Sequence, residues 1–187
     1  MGGAEDIDRR ISLASQANGS MFSLWLRRKH VSERSRLKLY SSLVLPVLLY
    51  NCETWGVTQA VFQRLDCFHR RQLRNLVGVR YPDRITNDDL YSRCDSQSLS
   101  ELVAKRRRSL TGHVLRMSEQ SPPCLAMSCY FQARSRGRRG RPAATLPTTI
   151  MKDLAGHDIP LKNASDLEGA RAFAADKSKW RSDIVYG

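Results

Sequence analysis

The chain has 187 residues, of which 41% are hydrophobic and 26% charged, a balance that fits a folded protein and excludes wholesale disorder. Lysine and arginine number 31 against 18 acidic residues, which gives a formal net charge of +13. Such an excess favours a polyanionic partner. Nucleic acid is expected in preference to an acidic membrane surface, because no predicted helix joins a wide apolar face to a purely basic one.

The first predicted helix has apolar residues at steps of four and three, from Ile7 through Ala14 to Trp25. This spacing is typical of a helix that turns one stripe towards the core. A second helix is predicted to begin at Ser32, since serine is a favourable N-cap residue.

The second helix leads into Leu43–Trp55, the most apolar stretch of the chain, in which Leu43–Tyr50 contains no charged residue. A membrane-spanning helix needs about 20 such residues, so we expect this shorter stretch at the buried centre of a folded protein. Pro46 lacks an N–H group and clashes with the preceding turn. The helix is therefore predicted to bend or break at Pro46 and to stop near Asn51.

A third helix is predicted between Thr58 and Gly78, because threonine favours a helix start and glycine a helix stop. Its apolar stripe consists of Phe62, Leu65, His69, Leu73 and Leu76. His69 is expected to be a hydrogen-bonded residue at the edge of the core rather than a catalytic base. The opposite face of the helix is basic and carries Arg64, Arg70, Arg71 and Arg74.

Two further helices are predicted to begin with capping boxes, one at Thr86 and one at Ser98. The acidic pair Asp88–Asp89 falls in the first turn of the earlier helix, where carboxylates are favourable. Paired aspartates also hold the two Mg²⁺ ions of polymerases, but there they lie in a strand–turn–strand and follow an aromatic residue. We therefore expect helix capping here and no metal site.

The helix that begins near Ser98 carries four successive basic residues. With 3.6 residues per turn, their side chains point around most of the helix. At least one must therefore start at the packed edge and extend to solvent. We predict that the four contact phosphates, with a solvated helix face as the alternative. They are Lys105, Arg106, Arg107 and Arg108.

Pro122–Pro123 end this helical pattern, and an Arg/Gly-rich segment that follows is predicted to be flexible in the free protein. Arg139–Pro142 matches the core of an AT-hook, in which Arg-Gly-Arg lies in the narrow minor groove of A·T tracts. Minor-groove insertion, general phosphate binding and a solvated linker all remain open. The predicted nucleic-acid contacts in this segment are Arg134, Arg136, Arg138, Arg139 and Arg141.

Residues 150–154 predict a short helix that ends at Gly156, and apolar residues between Leu161 and Trp180 predict a final helix. Strand-like alternation is nearly absent, so the predicted fold class is all-α. We expect an irregular bundle of about six to eight helices with the flexible Arg/Gly-rich segment. The predicted division is a helical core at 1–120, a linker at 121–143 and a short helical segment at 144–187.

The five cysteines are odd in number, and no CxxC or zinc-finger spacing occurs, so neither disulfides nor a metal site are predicted. The first ten residues are acidic and small, which does not predict a signal peptide. The protein is therefore expected to be intracellular, nuclear or cytoplasmic, with the nucleus favoured. The cysteines are Cys52, Cys67, Cys94, Cys124 and Cys129.

Seven sequence blocks resemble, in the same order, the region that follows the polymerase palm in reverse transcriptases of non-LTR (LINE-type) retrotransposons. In that family the region is similar to a helical thumb and linker that grips template and primer. The resemblance thus implies an all-α part of an RNA-directed DNA polymerase. The blocks are Asp6–Ile11, Arg36–Trp55, Leu73–Arg80, Asp83–Asn87, Gly112–Met117, Gly137–Pro142 and Asp176–Arg181.

The catalytic motifs of this family are missing from the sequence. No aromatic-x-Asp-Asp palm motif occurs, and no acid-x-Lys pattern follows Pro82–Asp83 as in the nuclease of some relatives. We therefore predict a non-enzymatic protein with no cofactor and no small-molecule substrate. Its expected partner is RNA, DNA or a hybrid, with a separate palm chain as a further candidate. The alternative is a protein–protein scaffold or a decayed retrotransposon remnant without activity of its own.

Overall fold

The computed structural model describes residues 3–22, 31–132, 144–157, 159 and 166–186. All regular structure in these ranges is helical, so the prediction of an all-α, irregular helical fold is confirmed. The Arg/Gly-rich segment at 134–141 lies outside the described residues, as does Trp25 of the first predicted stripe.

The helices are named in chain order, and three short turns of other helical types accompany them. A π-helical turn, Tyr40–Val44, joins α2 to α3; a 3₁₀ turn spans Cys52–Thr54; a second π-helical turn, Arg181–Val185, follows α10. The α-helices are α1 (Gly3–Phe22), α2 (Glu33–Leu39), α3 (Leu45–Leu48), α4 (Gln59–Val77), α5 (Asn87–Cys94), α6 (Leu99–Leu115), α7 (Pro122–Gln132), α8 (Leu146–Ala155), α9 (Asp166–Ala175) and α10 (Lys177–Trp180).

The chain forms two compact units. The first consists of Met1–Asn51 with Thr58–Leu102, and the second of Cys52–Val57 with Val103–Gly187. The predicted boundaries at residues 120 and 143 both fall inside the second unit. The predicted linker also contains α7, because proline is well tolerated in the first turn of a helix and Pro122–Pro123 begin this one.

In the first unit, α1 packs against α3 and α4, while α4 also packs against α2 and α5. Val44, Leu48 and Leu49 are fully buried there, whereas Leu43 and Tyr50 are half exposed or more. Buried and exposed residues thus alternate along the apolar stretch as expected for a helix, and only the buried ones contribute to the core. The predicted interruption at Pro46 is confirmed, since the π-helical turn precedes it and α3 begins with Pro46 in its first turn.

The second unit has a core of its own, formed by the end of α6, by α8 to α10, by the π-helical turn that follows α10 and by Ile159. Trp180 lies at its centre with 1% of its surface exposed. Its indole Nε1 donates to the Arg108 carbonyl oxygen at 3.1 Å, and the ring lies so close to Gly112 that a Cβ atom there would collide with it. The core residues are Leu115, Ile150, Leu154, Ile159, Leu167, Ala170, Ala174, Trp180, Ile184 and Val185.

A bilayer demands a helix that is both long and apolar. None of the helices in the described ranges meets both conditions, so none of them could cross a membrane.

Candidate nucleic-acid interface

Helix α4 positions one set of basic side chains by burying the opposite face. Gly78 ends the helix in the left-handed conformation, at φ 86°, which glycine adopts at little cost. The five residues of the predicted apolar stripe are all buried, and Phe62, the most exposed of them, keeps 6% of its surface accessible. The predicted boundaries and stripe of this helix are therefore confirmed.

The exposed side of α4 forms an open groove of about 530 Å³, the α4 groove. The five α4 residues that line it are mostly three and four positions apart, so they share one face of the helix. Three of its lining residues are arginines and none is acidic. The lining residues are Cys67, Arg70, Arg71, Arg74, Asn75, Val79 and Asn87.

The three arginines of the groove differ in how firmly the protein holds them. Arg74 donates through Nη2 to Asn87 Oδ1 at 2.8 Å and to the Ile85 carbonyl oxygen at 3.5 Å. Arg70 Nη2 lies 3.2 Å from Cys67 Sγ. Arg71 is exposed and has no hydrogen bond or ion pair with any described residue. These contacts are with neutral groups, so the positive charge of the groove is not cancelled by a carboxylate at hydrogen-bonding distance.

Arg107, one of the predicted phosphate contacts, lies in the interior of the second unit. It is only 3% exposed. Its Nε atom is 2.5 Å from Asp153 Oδ2, and Nη1 donates to the Trp55 carbonyl oxygen at 3.3 Å. The guanidinium group therefore stabilises the interior of this unit. Because it is buried, Arg107 is no longer a candidate phosphate contact.

The other three residues of the basic run are half buried. Lys105 Nζ lies 5.8 Å from the centre of the Tyr186 ring. Arg106 Nη1 is 3.9 Å from Glu53 Oε1. Arg108 Nη2 donates to the Val185 carbonyl oxygen at 3.4 Å. Their contact with nucleic acid stays a prediction.

The predicted contacts of the Arg/Gly-rich segment lie outside the described residues, and they too stay predictions. They are Arg134, Arg136, Arg138, Arg139 and Arg141.

His69 lies on the buried face of α4, with 1% of its surface exposed. Its Nδ1 is 2.9 Å from the Tyr40 hydroxyl, and its Nε2 is 3.2 Å from Ser96 Oγ. Burial lowers the pKa of His69 to about 4 and raises the pKa of Tyr40 above its ordinary value. The imidazole is therefore neutral at pH 7 and bridges two hydroxyl groups, and its predicted place in the core is confirmed.

The acidic pair Asp88–Asp89 lies in the first turn of α5, and Asp89 takes part in the N-cap of this helix. Thr86 Oγ1 donates to Asp89 Oδ2 at 2.6 Å and accepts from the Asp89 N–H at 3.2 Å. The predicted N-cap at Thr86 is confirmed, but the full capping box is not formed, because the Asp89 carboxylate accepts from the Thr86 hydroxyl rather than from the Thr86 N–H. Within the ranges that the structure describes, no group of three or more His, Cys, Asp or Glu side chains could hold a metal ion.

Sequence reasoning selects binding residues by local density of charge and therefore passes over the α4 arginines, although it identifies their face as basic. The signal that could have found them is their spacing. The helix has an apolar face, and three arginines lie opposite it. Arg74 is three positions from Arg71 and four from Arg70. Such residues remain together on the exposed side.

Three contacts join sequence blocks on which the family resemblance depends. Arg74 of one block donates to Asn87 of the next, and Gly112 makes room for the Trp180 ring. The Arg10 guanidinium lies 4.5 Å from the centre of the Tyr50 ring. Residues of these blocks therefore have identifiable packing roles in this fold.

Comparison with known proteins finds that the chain is similar in sequence to a transposon-derived protein. An uncharacterized transposon-derived protein of Caenorhabditis elegans is 30% identical to it over 93 residues, which cover 46% of this chain and 33% of that protein. The chain thus spans about a third of this relative's length. No protein-family model and no solved structure matches. The chain is therefore similar to a protein of transposon origin.

Proposed function

We propose that the chain is a non-catalytic nucleic-acid-binding fragment, similar to the thumb and linker of a non-LTR reverse transcriptase, that grips the phosphates of template and primer. The observation that carries this proposal is the α4 groove, which is lined by three arginines and no acidic residue. The planar guanidinium group binds phosphate oxygens with two parallel hydrogen bonds.

The geometry of the groove suits a chain of anions better than one anion. Arg70 and Arg71 lie on one turn of α4 and Arg74 on the next, and side chains one turn apart are separated by about 5–6 Å. Arg71 has no internal partner among the described residues, and Arg74 has only neutral ones. Their charges can therefore act on successive phosphates of one strand.

Two chain-level properties support the same proposal. The net charge of +13 attracts polyanions over distances of about 10 Å at 0.1 M salt. The similarity to a transposon-derived protein agrees with an origin in an element that handles nucleic acid. Lys105, Arg106, Arg108 and the arginines of the segment at 134–141 remain candidate contacts beyond the groove.

The test compares two triple variants of the chain. The groove variant carries Arg70→Gln, Arg71→Gln and Arg74→Gln, and is titrated against RNA, DNA and hybrid duplexes of one sequence at several salt concentrations. We expect its affinity for the preferred duplex to fall by at least about tenfold, with little change in sequence preference. Its log–log salt slope on DNA should be shallower by about 0.9 for each phosphate that the variant no longer neutralises.

The control variant removes the same charge from exposed positions of the first unit that do not line the groove. Circular dichroism melts verify that both variants remain folded. A control variant that weakens binding as much as the groove variant would show attraction by net charge alone. Binding that ignores salt would contradict the proposal. The control substitutions are Arg9→Gln, Arg34→Gln and Lys38→Gln.

A further inference from the structure

The loop between α4 and α5 is attached to the α4 groove at both ends. At its start, the Val79 N–H donates to the Arg74 carbonyl oxygen at 3.1 Å, and Val79 itself lines the groove. At its end, the Arg74 side chain donates to the Ile85 carbonyl oxygen and to Asn87 Oδ1. The loop therefore forms a rim of the groove.

Tyr81 lies in a turn of this loop, which the Asp83 N–H closes by donating to the Arg80 carbonyl oxygen at 2.8 Å. Its side chain is 91% exposed, more than any other large hydrophobic residue in the described ranges. Tyr81 is two positions beyond Val79 in the groove lining, so the two backbones are at most about 7 Å apart. A single exposed aromatic ring is ordinary on a protein surface, but this one belongs to the loop that joins Val79 to Asn87, both of which line the groove.

The charges around Tyr81 also favour an anionic ligand. Arg80 and Arg84 flank it and are exposed, against one acidic residue, Asp83, in the same turn. An exposed aromatic ring next to arginines is the combination that proteins use for single-stranded nucleic acid, in which the ring stacks on an unpaired base and the arginines bind the backbone. Bases inside a duplex are covered on both faces and offer no surface for such stacking.

We propose that Tyr81 stacks on an unpaired nucleobase whose neighbouring phosphates lie in the α4 groove. The ligand is then a nucleic acid in which a single-stranded segment adjoins a duplex. The site is indifferent to base identity, because every base presents a π-face. This inference rests on the proposed function and adds to it the class of structure that the groove prefers.

The experiment measures binding to a blunt duplex and to the same duplex with a single-stranded overhang, by fluorescence anisotropy. For Tyr81→Ala we expect affinity for the overhang substrate to fall about 5- to 100-fold, with blunt-duplex affinity unchanged. Tyr81→Phe keeps the ring and should bind like the wild type. An abasic overhang should weaken wild-type binding to the level of Tyr81→Ala.

The matched control is Tyr50→Ala, which removes a tyrosine that is 62% exposed in the same unit and does not line the groove. It should leave the preference for the overhang unchanged. If Tyr81→Ala binds both substrates like the wild type while the groove variant binds them weakly, the stacking inference is wrong and the proposed function stands. If the wild type binds neither substrate, the proposed function is itself wrong.

Discussion

The arginines that line the α4 groove and the basic run of α6 lie in different surroundings. On α4, Arg70, Arg71 and Arg74 line an open groove without an acidic neighbour in its lining. On α6, Arg107 is buried against Asp153, and Arg106 and Arg108 have contacts within their own unit. Local charge density is higher on α6, yet three of the four arginines on the basic face of α4 line an open groove, while the fourth, Arg64, pairs with Asp8.

The difference follows from helical geometry. Positions that differ by three or four lie on one side of a helix, so charges with that spacing can all face solvent. Four consecutive residues cover all sides, and a helix packed on one side must then bury one of them. Arg107 is that residue, and its burial is compatible with folding because Asp153 and the Trp55 carbonyl oxygen accept its hydrogen bonds.

The largest effect is expected from removing Arg107. Arg107→Ala leaves the carboxylate of Asp153, which is 14% exposed, without its partner. Breaking a buried ion pair in this way costs about 3 kcal/mol or more of the free energy of unfolding. Urea denaturation followed by circular dichroism measures it.

Two further variants test the contrast between the buried arginine of α6 and an exposed arginine of α4. Arg71→Gln, on the exposed face of α4, should change the free energy of unfolding by less than about 0.5 kcal/mol. The double variant Arg107→Met with Asp153→Leu should recover much of the stability, since neither partner is then left unpaired. If Arg107→Ala were as stable as the wild type, the assignment of Arg107 to the core would be wrong.

Local patterns in the sequence are sufficient to predict most of the helices. The caps at Thr86 and Ser98, the stop at Gly78 and the stripe of α4 depend on residues a few positions apart, and the structure has them. The prolines at the start of α7 predict the end of helical structure instead, although the first turn of a helix accommodates them.

The surroundings of the basic run cannot be predicted in the same way. Its decisive contact joins Arg107 to Asp153, 46 positions away, and the contact between Tyr40 and His69 spans 29 positions. Such pairs depend on how helices pack, and neither composition nor periodicity encodes that. The arginines of the α4 groove are predictable in principle, because they share one helix face, but its lining by Val79 and Asn87 is not.

The next largest change in stability is expected from substituting a glycine in a helix, and its sign depends on which of two glycines is replaced. Gly112→Ala should destabilise the second unit by about 2 kcal/mol, because the new Cβ atom would collide with the Trp180 ring in a tightly packed core. Gly19→Ala should stabilise α1 by up to about 1 kcal/mol, since no atom lies within 4 Å of the position and alanine favours the helix. Thermal melts of both variants measure the difference; equal shifts would contradict the packing of Trp180.

A smaller, pH-dependent effect comes from the buried face of α4. The pKa of His69 is lowered from 6.5 to about 4, so between these values the unfolded chain takes up a proton that the folded one excludes. Stability therefore decreases as the pH falls below 6.5, by about 1–2 kcal/mol between pH 7 and pH 5. Urea midpoints at several pH values measure it.

Substituting His69 separates its contribution from those of other groups. His69→Gln removes the titrating ring and should flatten the pH dependence of the urea midpoint. A pH profile that survives His69→Gln would assign the titration to other groups.

Arg74 has one consequence for how a ligand would enter. Its contacts with Ile85 and Asn87 use only Nη2, and a guanidinium group has five N–H donors on three nitrogens. A phosphate bound through Nε and Nη1 would therefore leave the far end of the loop attached. One side chain would then join the ligand backbone and the Tyr81 turn at the same time.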